Sequence, residues 1–175
     1  DEYYPTRTEL ALMREHGAEM ADALGCGVLL VEYGSGSTLK IRELLNHLCD
    51  IVAYMPIDIS REHLMRSACE LSADYPDLDI MPVCADYTNG VTLPANGHPT
   101  SRRSVYFAGS TIGNFEPAEA VALLRGIRGK CGPAGGVLIG VDVWKDPAIL
   151  HAAYNDREGV TAEFNLNLLR RFNRE

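Results

Sequence analysis

Val28-Leu29-Leu30-Val31-Glu32-Tyr33-Gly34-Ser35-Gly36-Ser37-Thr38 is the stretch that decides how this chain folds. Four apolar residues run into an acid, and a glycine-serine-glycine turn then leads into a helical segment. A strand buried on both faces of a parallel sheet needs a continuous apolar run rather than an alternating one. The glycines let the backbone turn sharply and come close to a ligand, with no Cβ in the way. A helix starting near Thr38 would aim its free N–H groups and the positive end of its dipole at that ligand. The turn therefore reads as a nucleotide-type cofactor site, although a lone Gly-x-Gly is more often an ordinary tight turn. The dinucleotide spacing places a third glycine at position 39, where this chain has Leu39.

The composition bounds what such a site can serve. A chain of 175 residues with 46% hydrophobic content supports one domain, over residues 1–175, with a sizeable core. Its net charge of −8, with no basic run longer than Arg102-Arg103 and Arg170-Arg171, argues against a nucleic-acid or anionic membrane partner. No apolar stretch approaches the ~20 residues of a membrane span, and residues 1–10 lack the apolar core of a signal peptide. The cysteines at 26, 49, 69, 84 and 131 form no Cys-x-x-Cys pair and read as reduced, mostly buried thiols of a cytoplasmic protein. The five histidines show no ligand spacing, so no metal site is expected. The chain opens on Asp1 and ends in a helical pattern, which reads as part of a longer protein.

Helical and strand signals alternate along the whole chain. Thr6-Arg7-Thr8-Glu9 is a candidate capping box for a helix reaching about Leu24. After the first strand comes a helix from Leu39 to about Leu48. A second strand spans Ala53 to Ile59, with Pro56 predicting an irregularity, and Ser60 caps a helix from Arg61 to Ala73. Asp79 to Asp86 reads as the third strand, Asn89 to Pro99 as a surface loop, and Ser104 to Ala108 as the fourth strand. Pro117 to Arg128 is the next helix, and Gly132-Pro133-Ala134-Gly135-Gly136 turns into a fifth strand from Val137 to Val143. This alternation predicts βαβ units, hence an α/β fold with a parallel sheet covered by helices on both faces. Ligands of such sheets sit at the carboxyl ends of the strands.

Each predicted strand ends in polar chemistry. Glu32 closes the first, and Asp58 at the end of the second can accept from both hydroxyls of a ribose. Asp86 and Tyr87 close the third, pairing a carboxylate for an adenine amino group with an aromatic for its face. Gly109 to Phe115 and Asp142 to Asp146 follow the fourth and fifth. An acid before a Gly-x-Gly turn, an Asp-aromatic pair and a Gly-rich turn before the fifth strand together resemble a Rossmann-like class I methyltransferase using S-adenosylmethionine. A nicotinamide-dependent oxidoreductase is the alternative, with Leu39 speaking against it.

Three motifs narrow the resemblance. Glu2-Tyr3-Tyr4-Pro5-Thr6-Arg7-Thr8-Glu9, Gly109-Ser110-Thr111-Ile112-Gly113-Asn114 and Asp156-Arg157-Glu158-Gly159-Val160-Thr161-Ala162-Glu163-Phe164-Asn165 are similar to those of the histidine-specific methyltransferase family. The resemblance covers essentially the whole chain. It implies trimethylation of the α-amino nitrogen of histidine to hercynine, in ergothioneine biosynthesis, by a protein expected to be monomeric when intact. Relatives acting on the amine of a prenylated tryptophan keep similar motifs, so an amino-acid-derived small molecule is the implied substrate class. The family's further carboxyl-terminal region, which completes the sheet, is expected to be missing here and to leave apolar surface exposed.

Glu32 would be a cofactor-binding residue, and, carried over by resemblance, Gly34, Gly36 and Lys40 would serve the methionine part of the cofactor, Asp58 its ribose, and Asp86 with Tyr87 its adenine. Tyr4 would face the substrate amine, as a catalytic residue together with Asn114. Asn114 and Tyr154 would hold the substrate's carboxylate and amine region, and Gly109 would line the same pocket. Each has a structural alternative. Tyr4 could pack on the sheet, Asn114 could cap the helix near Pro117, Tyr154 could belong to the apolar face of its helix, and Lys40 could be a solvated charge.

Overall fold

A computed structural model describes residues 4–95, 97, 99 and 102–174. Glu2 and Tyr3 of the first motif, and His98, lie outside the described residues. Helix α1 (Pro5–Leu24) leads into strand β1 (Val28–Tyr33), followed by α2 (Thr38–Leu45), β2 (Ala53–Asp58) and α3 (Arg61–Asp74). Short strands β3 (Asp79–Ile80) and β4 (Val83–Cys84) come next, then β5 (Arg102–Phe107), α4 (Pro117–Cys131), β6 (Gly136–Ile139), α5 (Pro147–Tyr154) and α6 (Val160–Phe172).

All strand pairs are parallel, in the order β3-β2-β1-β5-β6, with β4 also pairing β2. The chain builds outward from β1 through β2, then returns to lay β5 on the other side of β1. The reversal puts the topological switch point at the carboxyl ends of β1 and β5, where ligands of open α/β sheets bind.

Every residue of β1 is buried, as its unbroken apolar run requires. Alternate side chains feed two cores. Leu29, Val31 and Tyr33 pack with Met55, Ile57, Val105, Phe107 and Ile127 on the α4 face. Leu30 points the other way, to Met13, Ile41, Leu44, Tyr54, Leu71 and Tyr106 beneath α1, α2 and α3. Helices therefore cover both faces.

Several local expectations are corrected. The predicted third strand is two short ones, because Tyr54 lies opposite Ile80 and Ile57 opposite Val83 in one unbroken register. Pro56 consequently faces Pro82, and two residues without N–H leave a gap in the ladder. β2 itself runs through Pro56 unbroken. The fifth strand stops at Ile139, short of Val143. The capping box at Thr6 is absent, since Pro5 opens α1 and Tyr4 is its N-cap residue, whose side chain makes no capping hydrogen bond. Ser60 makes no side-chain cap either; its N–H donates to Asp58 Oδ1 at 2.8 Å.

The cysteine reading also changes. Cys26 and Cys49 are joined by a disulfide with Cα atoms 5.2 Å apart. They precede the neighbouring parallel strands β1 and β2, so the sheet brings together two residues separated by 23 positions. Cys69 and Cys84 are exposed rather than buried, and Cys131 is half-buried. As expected, apolar surface is exposed towards the carboxyl end. No residue of α6 is buried, and Trp144, Phe164, Leu168 and Phe172 face outward. Among the described residues no helix is long and apolar enough to cross a membrane.

Candidate active site at the switch point

Gly34 leaves β1 with φ +77°, a conformation open to glycine at no steric cost. Its N–H and that of Ser35 both donate to Ile57 O, at 2.9 and 3.2 Å, which folds the turn over the end of β2. Gly36 O accepts from His63 Nε2, while Arg66 at 3.1 Å fills His63 Nδ1 and so fixes the ring's tautomer. Around Gly36 there is open space where a Cβ would sit. Ser37 then caps α2, its Oγ accepting from Leu39 N. A cradle of this kind, open at Gly36 and backed by a helix amino end, suits the polar tail of a nucleoside-type cofactor.

Glu32 lies behind that cradle, hydrogen-bonded to Ser35 of the turn. It is 2% exposed, on the α1 side of the sheet, where the Tyr54 hydroxyl donates to it. Burial pushes its carboxyl up to about 7, against the opposing pull of Tyr54, Ser35 and Lys40. Lys40 is not a solvated charge either. Its ammonium lies 2.5 Å from Glu9, and both side chains are mostly buried. Both Glu9 oxygens also accept from Gly109 N at 3.0 Å.

Asp58 stands half-buried at the end of β2, beside the glycine turn. The Asp86 carboxylate is engaged by its own turn, accepting from Thr88 N and Oγ1 and from Asn89 Nδ2, and these donors hold its pKa low. The Tyr87 ring stacks on Tyr33 at 5.0 Å, with its hydroxyl beside Gly34. It lines a groove of about 780 Å³ with Phe115 and α4.

Tyr4, Glu9, Gly109, Ser110, Gly140 and Asp142 converge on a second cleft of about 390 Å³. Tyr4 does not pack on the sheet. Its hydroxyl donates to Asp142 Oδ2 at 2.5 Å, and Lys145 Nζ lies 4.7 Å from the centre of its ring while donating to Asp142 Oδ1. Ser110 is held left-handed at φ 55°, and its Oγ accepts from Asp142 N at 2.9 Å. Such strain in a non-glycine residue is typical of functional sites.

Asn114 and Tyr154 are not among the residues lining this cleft. Asn114 ends a short 3-10 turn with an exposed side chain, and Glu116, not Asn114, is the N-cap residue of α4. Tyr154 closes α5 at 56% exposure. Sequence reasoning missed Glu9, Ser110, Asp142, Lys145 and His63. Glu9 was absorbed by the capping-box pattern, and Asp142 and Lys145 stood only in the polar run after the fifth strand.

Comparison with known proteins identifies the family. Residues 1–175 match the family described as "Histidine-specific methyltransferase, SAM-dependent". The chain is 39% identical over 178 residues to the histidine N-alpha-methyltransferase of Mycobacterium tuberculosis, covering 99% of this chain and 54% of that protein. It is 35% identical over 177 residues to ergothioneine biosynthesis protein 1 of Neurospora crassa, covering 99% of this chain and 20% of that one. The chain thus spans about half the length of the mycobacterial relative. In fold it is similar to the solved structure of the mitomycin 7-O-methyltransferase MmcR, with a TM-score of 0.55 at 13% identity, over 81% of this chain and 40% of that one. Of the two cofactors left open by the glycine turn, the family match selects S-adenosylmethionine.

Proposed function

Because the chain belongs to the histidine-specific, S-adenosylmethionine-dependent methyltransferase family, we propose that it methylates the α-amino nitrogen of L-histidine. Three successive transfers would give hercynine, on the route to ergothioneine. The observation that carries this reading is the cleft joining Tyr4, from the amino-terminal motif, to Gly109 at the switch point. That cleft lies at the same strand ends as the Gly34–Gly36 cradle.

The open cradle fits a methionine tail, with Asp58 for the ribose and Asp86 and Tyr87 for the adenine. When bound, S-adenosylmethionine supplies an electrophilic methyl carbon, released to an incoming lone pair as the C–S electron pair returns to sulfur. Each of the first two transfers leaves an alkylammonium that releases a proton to water before the next, and what remains for the protein is positioning. Tyr4 orients the amine, which has to arrive neutral with its lone pair free, although amines are mostly protonated near neutral pH. By the family resemblance, Asn114 and Tyr154 would hold the carboxylate side of the amino acid, although neither lines the cleft. Lys40 acts through Glu9, tying the start of α2 to α1 and to Gly109 rather than standing free for a ligand.

Mass spectrometry of the protein incubated with S-adenosylmethionine, histidine and tryptophan tests the reading. Histidine gaining one to three methyl groups, with tryptophan untouched, is the expected result. Methylated tryptophan would reassign the acceptor, and no methylated amino acid would overturn the reading for this chain.

A further inference from the structure

Tyr4 can meet an amine in two opposite ways. As a donor it would bind the nitrogen lone pair and block the nucleophile. As an acceptor it would take an N–H and leave that lone pair free. Which of the two occurs depends on where its single hydroxyl proton goes.

The structure sends that proton to Asp142. The Tyr4 hydroxyl donates to Asp142 Oδ2 at 2.5 Å, and an ionised carboxylate only accepts. Lys145 pairs with the other oxygen, Oδ1, which also accepts from Val143 N at 3.0 Å, and these partners keep Asp142 ionised at neutral pH. Ser110 anchors the backbone of Asp142 from the switch point. Tyr4 and Asp142 both line the cleft.

We propose that Asp142 is a positioning residue that fixes Tyr4 as a hydrogen-bond acceptor toward the substrate amine. The inference rests on the histidine-methylation reading and deepens it. It carries a signature that a merely structural role lacks. A neutral primary amine has two N–H groups, a monomethylated one has one, and a dimethylated one has none. Tyr4 as acceptor can therefore help the first and second transfers but has nothing to hold in the third.

The test offers histidine, its Nα-methyl and its Nα,Nα-dimethyl derivatives separately to the wild type and to Asp142→Ala, Asp142→Asn, Tyr4→Phe and Tyr4→Phe/Asp142→Ala. Asp142→Ala is expected to lower kcat/KM roughly tenfold or more for the first two substrates, the scale of a hydrogen bond to a charged group. It is expected to leave the dimethylated substrate within about threefold, the usual context scatter of such effects. Asp142→Asn, whose amide oxygen still accepts, should recover most of the loss. In the Tyr4→Phe background Asp142→Ala should cost nothing further.

Equal slowing of all three substrates, or full additivity with Tyr4→Phe, overturns the proposal. If Tyr4→Phe itself changes nothing, the assignment of Tyr4 falls and this proposal with it. A second readout needs no turnover. The difference ultraviolet titration between the wild type and Tyr4→Phe reports Tyr4 alone, whose ionisation is raised chiefly by Asp142 and opposed by Lys145. Asp142→Ala should shift it downward, and an unmoved titration overturns the proposal in the chain itself.

Discussion

The Glu9 carboxylate lies 2.5 Å from the Lys40 ammonium and accepts from Gly109 N with both oxygens at 3.0 Å. One side chain of α1 thereby ties the start of α2 to the end of β5. Both partners are largely buried, at 16% and 13% side-chain exposure, so deleting either leaves an uncompensated charge. Glu9→Ala and Lys40→Ala should each lose roughly 3 kcal/mol in urea unfolding, and the double variant clearly less than the sum. Glu9→Gln, which still accepts from Gly109 N, should lose less than Glu9→Ala. Additive single losses would show that the two side chains are not coupled.

Gly140, the residue after β6, tests the same junction. A Cβ at this position would collide with Glu9 Oε1, whereas one at Gly126, in the middle of α4, meets open space. Gly140→Ala should therefore lower stability by about 1–3 kcal/mol through overpacking. Gly126→Ala should raise it by about 0.5–1 kcal/mol through helix propensity and the unfolded state. Thermal melts of the two variants should move in opposite directions. A shift in the same direction would break the argument.

Glu32 makes stability depend on pH in an unusual sense. Its folded-state pKa of about 7 lies above the ordinary 4.5. Between these values the folded protein holds a proton that the unfolded chain has released. Stability is thus fully present below about pH 4.5 and lost as pH rises through 7, by about 3 kcal/mol. The carboxylates held low, Asp86, Asp142 and Asp156, act below pH 4 and leave this window alone. Urea midpoints of the wild type should fall from pH 4.5 to 7.5, and those of Glu32→Gln should stay flat. A parallel pair of curves would mean that Glu32 titrates normally.

The order of elements was legible because β1 states its burial in an unbroken apolar run, and because each helix brackets a strand at βαβ spacing. That ligand chemistry gathers at the carboxyl strand ends followed from Gly34 and Gly36 together with the segment after Phe107, but the strand order that makes those ends the switch point did not. What the sequence hid is pairing at long range. Glu9 has the spacing of a capping box, yet its carboxylate is spent on Gly109, one hundred positions away. Tyr4 and Asp142 meet across 138 positions, a distance at which local pattern carries no information. Glu32 shows a second limit, since an acid after an apolar strand reads the same whether or not the helices above it seal it in. Asp86 likewise carries its own donors in the turn that follows, a satisfaction visible only once that turn is folded.

The Cys26–Cys49 bridge gives the last expectation. It joins the turns entering β1 and β2, at the opposite end of those strands from the glycine cradle. Closing a loop across 23 positions restricts the unfolded chain and is worth about 3 kcal/mol by loop entropy. A thiol reagent in denaturant without reductant should count three groups, Cys69, Cys84 and Cys131, and five after reduction. Reduction or Cys26→Ser should lower the urea midpoint to a similar extent, while the Tyr4 titration, reporting the far end of the sheet, should not move. Five thiols counted before reduction would mean that the two turns approach without a bond, and the stability difference should then vanish as well.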